Sequence, residues 1–332
     1  MITLGKTLIL FCLMIFVPTG FAQQGAPAAD YIIQGESIGE FQWLLDGTSL
    51  RVIDETTSVE QQKDFEYDLT SQTSQPSSEL LSAQQLDQLG ILETESTAGT
   101  RASSIVYLSP DKQWAVYGVT EKEQHYLAIS NLISRQDYVI HDAPMLVIDQ
   151  AHLFKARWSN DSSALYVYSS DGPNVYWYYI SHFTKALKNT SVIRLNERQG
   201  SVKGAIGPVV EVFDIAAQGE ILLLETIVRT ESPTSIGSQL VALNMKSSTY
   251  DILIEQTQSI VGASFGKNDV VYYIDLQGMY IYNVKDKSSQ LINTDINASW
   301  VGDVEISPDG RYVAAIEGGN DHALYIIGTG LE

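Results

Sequence analysis

Apolar and polar positions alternate along this chain in short runs that return at a regular spacing. The clearest pair is Val304-Glu-Ile-Ser-Pro-Asp-Gly-Arg-Tyr-Val-Ala-Ala-Ile316, in which two such runs meet at a Ser-Pro-Asp-Gly step. Period-two alternation over a handful of residues predicts half-buried β-strands, and the step between them predicts a tight hairpin. Ile105 to Tyr117 repeats the arrangement around Ser109-Pro110-Asp111-Lys112.

The chemistry of the step explains its composition. Pro308 presets φ at the second turn position, Asp309 can bind nearby backbone amides, and Gly310 accepts the positive φ that follows. Lys112 stands where Gly310 does, so that turn is expected to be strained or differently shaped. Looser copies run from Phe41 through Asp46-Gly47 to Ile53 and from Ala156 through Asp161 to Tyr168. Two more pass through Gln218-Gly219 and through Lys267-Asn268. The chain thus holds six copies. Third and fourth apolar segments follow most pairs, for example Tyr126 to Ile129 and Tyr138 to Ile140. Four short strands per unit predict the blades of an all-β, six-bladed β-propeller.

The two ends of the chain complement each other. The sixth unit supplies three strands before Glu332, and an unassigned strand, residues 31–34, precedes the first unit. We expect that strand to pair with the last blade and close the ring. The first unit is irregular. An insertion at about 54–100 carries one good strand, Phe65 to Leu69, a polar Ser, Gln and Thr tract, and a helix predicted over 79–89 with Ser78 as N-cap.

These features resemble the TolB-type WD-like propeller family, on the Ser307-Pro-Asp-Gly310 turn, its variants at 109–112 and 158–161, and the sixfold repeat. Dipeptidyl-peptidase amino-terminal propellers use similar units. The resemblance implies that Asp46, Asp111, Asp161 and Asp309, with Gly310, shape turns and neither ligate nor catalyse. It also implies no peptidase activity, since the sixth unit runs to the end of the sequence without a hydrolase region.

Composition adds the compartment. Lys6, the apolar run from Leu8 to Val17 and Gly20-Phe21-Ala22 have the form of a signal peptide over 1–22, leaving a single domain over 23–332. The expected address is periplasmic or extracellular, with no membrane insertion after cleavage. The one cysteine, Cys12, falls inside the signal, so disulfides and cysteine-based sites are excluded from the mature chain. Residues 1–22 contain one lysine and no acid, so cleavage moves the formal charge from −20 to −21. Such a field disfavours nucleic acid as a partner.

Candidate chemistry is sparse. No Gly-x-Ser-x-Gly elbow, phosphate-binding glycine loop, paired metal-ligating histidines or Asp-x-Asp-x-Asp-Gly calcium loop occurs, so neither catalytic residues nor cofactors nor metals are assigned. Tyr176 to Tyr179 and the repeat tryptophans Trp43, Trp114 and Trp158 are expected to fill the core. Loops on one face of a propeller hold Arg101, His152, Lys155, Arg198, Lys203 and Trp300, a basic and aromatic set on a strongly acidic chain. That contrast leads to the expectation of a noncatalytic module binding a protein or peptide. The alternative is a small-molecule or sugar binder, or an enzyme whose site is assembled from several blades.

Overall fold

The computed structural model describes residues 29–331 apart from 36–37, 45, 55–62, 77–100, 110, 112, 122, 135, 145, 149–150, 160, 171–174, 182–190, 196–208, 217, 230–235, 257–258, 297–300 and 318–319. The described residues form six antiparallel sheets, the blades of a β-propeller. Blade 1 is β2 (Ile38–Trp43), β3 (Ser49–Asp54), β4 (Lys63–Asp68) and β5 (Thr73–Pro76). Blade 2 is β6 (Arg101–Leu108), β7 (Trp114–Glu121), β8 (Gln124–Asn131) and β9 (Gln136–Pro144). Blade 3 adds a short strand, β10 (Leu146–Ile148), to β11 (Ala151–Trp158), β12 (Ala164–Ser170), β13 (Val175–Ser181) and β14 (Ser191–Arg194). Blade 4 is β15 (Val209–Ile215), β16 (Ile221–Arg229), β17 (Ile236–Asn244) and β18 (Thr249–Gln256). Blade 5 is β19 (Gly262–Phe265), β20 (Val270–Ile274), β21 (Met279–Asn283) and β22 (Ser288–Asn293). Blade 6 is β23 (Val301–Ile306), β24 (Tyr312–Glu317) and β25 (Asn320–Gly328), with β1 (Tyr31–Gln34) paired antiparallel to β25.

The polar tract of the first unit differs from its expectation. Thr73–Pro76 pairs with β4, from Thr73 opposite Asp68 to Pro76 opposite Phe65, and completes a regular four-stranded blade. Outermost strands face solvent, so little in their composition marks them, and the Asp68 carboxylate binding the amides of Thr70 and Ser71 at 2.7 and 3.1 Å turns the chain into the pairing. The helix predicted over 79–89 lies outside the described residues.

The repeated turn is built by a serine and an aspartate acting together. Ser307 Oγ donates to Asp309 at 2.8 Å and accepts from the Tyr312 amide at 3.0 Å, while Asp309 also accepts from the Arg311 amide at 3.1 Å. Ser109 with Asp111 and Ser159 with Asp161 reproduce these contacts, at 2.6 and 2.7 Å for the serine donation. Asp46 stands without the serine and captures the amides of Thr48 and Ser49, both at 2.8 Å. Burial tends to raise the carboxyls of Asp46, Asp161 and Asp309, and these hydrogen bonds outweigh it, so all three lie below the ordinary aspartate pKa. Gly310 takes φ +74° at the end of its turn.

The core lies between blades, because every blade buries both faces. Five of its clusters each draw on two neighbours: blades 2 and 3, 3 and 4, 4 and 5, 5 and 6, and 6 and 1. Trp43, Trp114, Trp158, Trp177, Tyr178 and Tyr179 are all buried in them. Three tryptophans also stitch blades together through the indole N–H, Trp43 to the Glu305 carbonyl at 3.1 Å, Trp158 to the Tyr107 carbonyl at 3.2 Å and Trp177 to the Val210 carbonyl at 3.1 Å.

Candidate functional site

The innermost strands β2, β6, β11, β15, β19 and β23 surround the axis. Their penultimate residues are Gln42, Tyr107, Arg157, Asp214, Ser264 and Glu305, the same position of the repeat in every blade. This position holds six side chains of different chemistry, including one cation and two anions; Gln42, Arg157, Ser264 and Glu305 line the axial cavity, while Tyr107 packs in the apolar cluster between blades 2 and 3. Arg157 organises this level. Its Nε lies 3.6 Å from Asp214 on the next blade, and its Nη1 lies 3.3 Å from Glu305 on the opposite blade. The guanidinium thus reaches across the axis.

Further bonds fix each member. Asp214 accepts from Ser264 Oγ at 3.0 Å and from the Phe265 amide at 2.8 Å. A register shift between Val212 and Asp214 interrupts the ladder there and re-aims the strand end. Glu305 accepts from the Trp43 amide at 3.2 Å. Tyr166 supports Arg157 from β12, donating its hydroxyl to the Phe213 carbonyl at 3.1 Å. Burial alone would lower the Arg157 pKa, but the carboxylates of Glu305 and Asp214 outweigh it and hold the group above its ordinary value. Burial raises Tyr166, which stays a neutral donor.

Beside this layer a cavity of about 300 Å³ is lined by Trp177, Val210, Glu211, Glu225, Ser259 and Val261, together with ring residues. Glu225 is only 3 % exposed. Its Oε1 accepts from Ser238 Oγ at 2.5 Å, the Ile260 amide at 3.3 Å and Ser259 Oγ at 3.4 Å. Burial raises its pKa more than these donors lower it. A buried acid with a raised pKa and three donors is an arrangement that can hold a proton or a polar ligand group.

The predicted basic set is placed only in part. Arg101 opens β6, while His152 and Lys155 belong to β11, in strands and not in loops. The reason is the hairpin that β10 forms with β11, with His152 opposite Val147, which lengthens the inner strand of blade 3. Arg198, Lys203 and Trp300 lie outside the described residues. The axial layer went unrecognised in the sequence reading, although its signal is there: the residue two places before the turn serine, aligned across six copies, is polar or aromatic in all of them. Among the described residues no group of three or more His, Cys, Asp or Glu side chains could hold a metal ion.

No family model and no curated protein matches the chain. Solved propellers do. TolB from Acinetobacter baumannii is similar at 14 % identity over 78 % of this chain and 53 % of its own, with a TM-score of 0.37. The chain spans about half the length of that TolB structure. An oligogalacturonate lyase in complex with manganese is similar at 11 % identity over 89 % of each chain, with a TM-score of 0.48. The β-propeller domain of the Trilobed protease from Pyrococcus furiosus is similar at 13 % identity over 90 % of this chain and 83 % of its own, with a TM-score of 0.41. These proteins have different roles, and none passes to this chain at such identities. Among the described residues no helix is long and apolar enough to cross a membrane.

Proposed function

We propose that this chain is an exported, noncatalytic β-propeller that binds a protein or peptide partner through the face where the inner strands begin. The observation carrying this reading is the mutual satisfaction of the axial charges. Arg157 is bound to Asp214 and Glu305, and Asp214 to Ser264 and the Phe265 amide. A base or nucleophile needs a free lone pair aimed at substrate, and these groups spend theirs on one another. The layer reads as a plug that stiffens the ring, which leaves recognition to the faces. Basic residues Arg101, Lys155, Arg198 and Lys203 on a chain of net charge −20 favour an acidic partner segment.

The test is a pull-down of the mature protein from its own cell-envelope and medium fractions, beside an Arg198→Glu/Lys203→Glu variant. A partner captured by the first and lost by the second is the expected result. Capture by neither would transfer the reading to a small polar molecule, favoured by the cavity beside Glu225, and Glu225→Gln would then be compared with the parent in a ligand screen.

A further inference from the structure

Five of the junctions between neighbouring blades are filled by apolar clusters shared by both sides. The remaining junction, between blades 1 and 2, is different among the described residues. Its apolar cluster, with Ala115, Tyr117, Val119 and Ala128 as its buried members, comes from blade 2 alone. Among the described side chains blade 1 offers a polar row there, because the register sets Gln42 opposite Arg51 and Arg51 opposite Glu66. Leu50 and Val52 pack toward blade 6, so strand alternation turns Arg51 the other way, toward blade 2.

Arg51 is only 6 % exposed, and among the described residues its Nε and Nη2 have no hydrogen-bond partner. A buried guanidinium edge without acceptors is unfavourable even where a carboxylate such as Glu66 lies on the neighbouring strand, and such groups are retained where something pairs with them. The identity of the two open nitrogens is informative. Nε and Nη2 form one edge of the planar guanidinium, the fork that grips two oxygens of a single carboxylate or phosphate in parallel bonds. Gln42, beside Arg51 in register, lines the axial cavity and can offer its amide N–H to the same group.

We propose that Arg51 is an anion-binding residue, taking a carboxylate or phosphate group of a small ligand at the junction of blades 1 and 2. Gln42 belongs both to this site and to the Arg157 layer, but Arg51 lies in neither that layer nor the face invoked for partner binding, so the proposal stands or falls independently of that reading.

The experiment is thermal unfolding of the mature protein in acetate, phosphate, sulfate and chloride at one pH and one ionic strength, repeated with Arg51→Met and Arg51→Lys. An oxyanion at about a hundredfold excess over its Kd should raise the Tm by roughly 4 °C over chloride. A larger response to acetate than to phosphate assigns a carboxylate ligand, and the reverse a phosphate. Both variants should lose the response, and Arg51→Met should melt above the parent in chloride, having shed a buried guanidinium edge without acceptors. If Arg51→Met does not fold, Arg51→Lys carries the comparison, since it keeps the charge and loses the fork. Equal melting in all four anions, or the same anion response in the variants, overturns the proposal.

Discussion

Replacing Arg157 with methionine tests whether the axial layer holds the ring together. Methionine keeps an unbranched apolar stem like that of arginine and removes the guanidinium charge that Asp214 and Glu305 share. At separations of 3.6 and 3.3 Å, and with an effective dielectric constant near 20, each attraction is about 4–5 kcal/mol before desolvation. The side chains are only 15, 10 and 22 % exposed, so the two carboxylates left behind are poorly hydrated and have lost their shared cation. Breaking a buried pair from one side costs about 3–5 kcal/mol. With an unfolding entropy of about 2 cal/mol/K per residue, that corresponds to a Tm lower by roughly 5–8 °C for a chain of this length. Urea titration and calorimetry of the parent, Arg157→Met, and Arg157→Met combined with Asp214→Asn and Glu305→Gln give the comparison. The triple variant should recover most of the loss, because it removes all three charges together. Acidification should narrow the gap between Arg157→Met and the parent by neutralising a carboxylate. A single variant within about 0.5 kcal/mol of the parent at pH 7 would refute the plug, placing Arg157 among surface pairs of little worth.

Three further outcomes are expected. The β1 strand should close the ring: Ile33→Asp puts a charge where the side chain is 5 % exposed and should cost about 4 kcal/mol or more, whereas Ile32→Asp at 51 % exposure should stay within about 0.5 kcal/mol; equal effects in urea titration would show that pairing, not packing, is all β1 supplies. Gly310→Ala should lose well over 1 kcal/mol, since it strains φ +74° and drives a Cβ to 2.2 Å from the Tyr272 ring, while Gly330→Ala, at φ +85° with open space around it, should lose only the backbone part of about 1 kcal/mol. Glu225 should give a pH signature: a carboxyl raised in the fold contributes stability that is full below the unfolded value of 4.5 and lost as pH rises through its folded value, so Glu225→Gln should gain on the parent as pH climbs from about 4.5, and parallel Tm–pH curves would refute it.

What the sequence made legible is what recurs locally. The Ser-Pro-Asp-Gly step announces its hairpin because the serine and aspartate act within five residues of each other, from Ser307 to Tyr312. Strand β5 escaped because Thr73–Pro76 is polar on an outer edge, where composition carries little signal. The axial layer escaped for a different reason. Arg157 and Glu305 are 148 residues apart, and neither has a neighbour in sequence that betrays its partner. Their meeting follows only once the repeats are aligned and wound into a ring, which turns one position of a six-copy pattern into six residues around one axis. Repeat position therefore carries functional information that motif searches miss. Strand-forming positions are held alike by the fold, and a position whose residue changes in every copy while its place is fixed is where such a fold can accept new chemistry. Gln42, Tyr107, Arg157, Asp214, Ser264 and Glu305 occupy that position here, and the charges among them are spent on the ring itself.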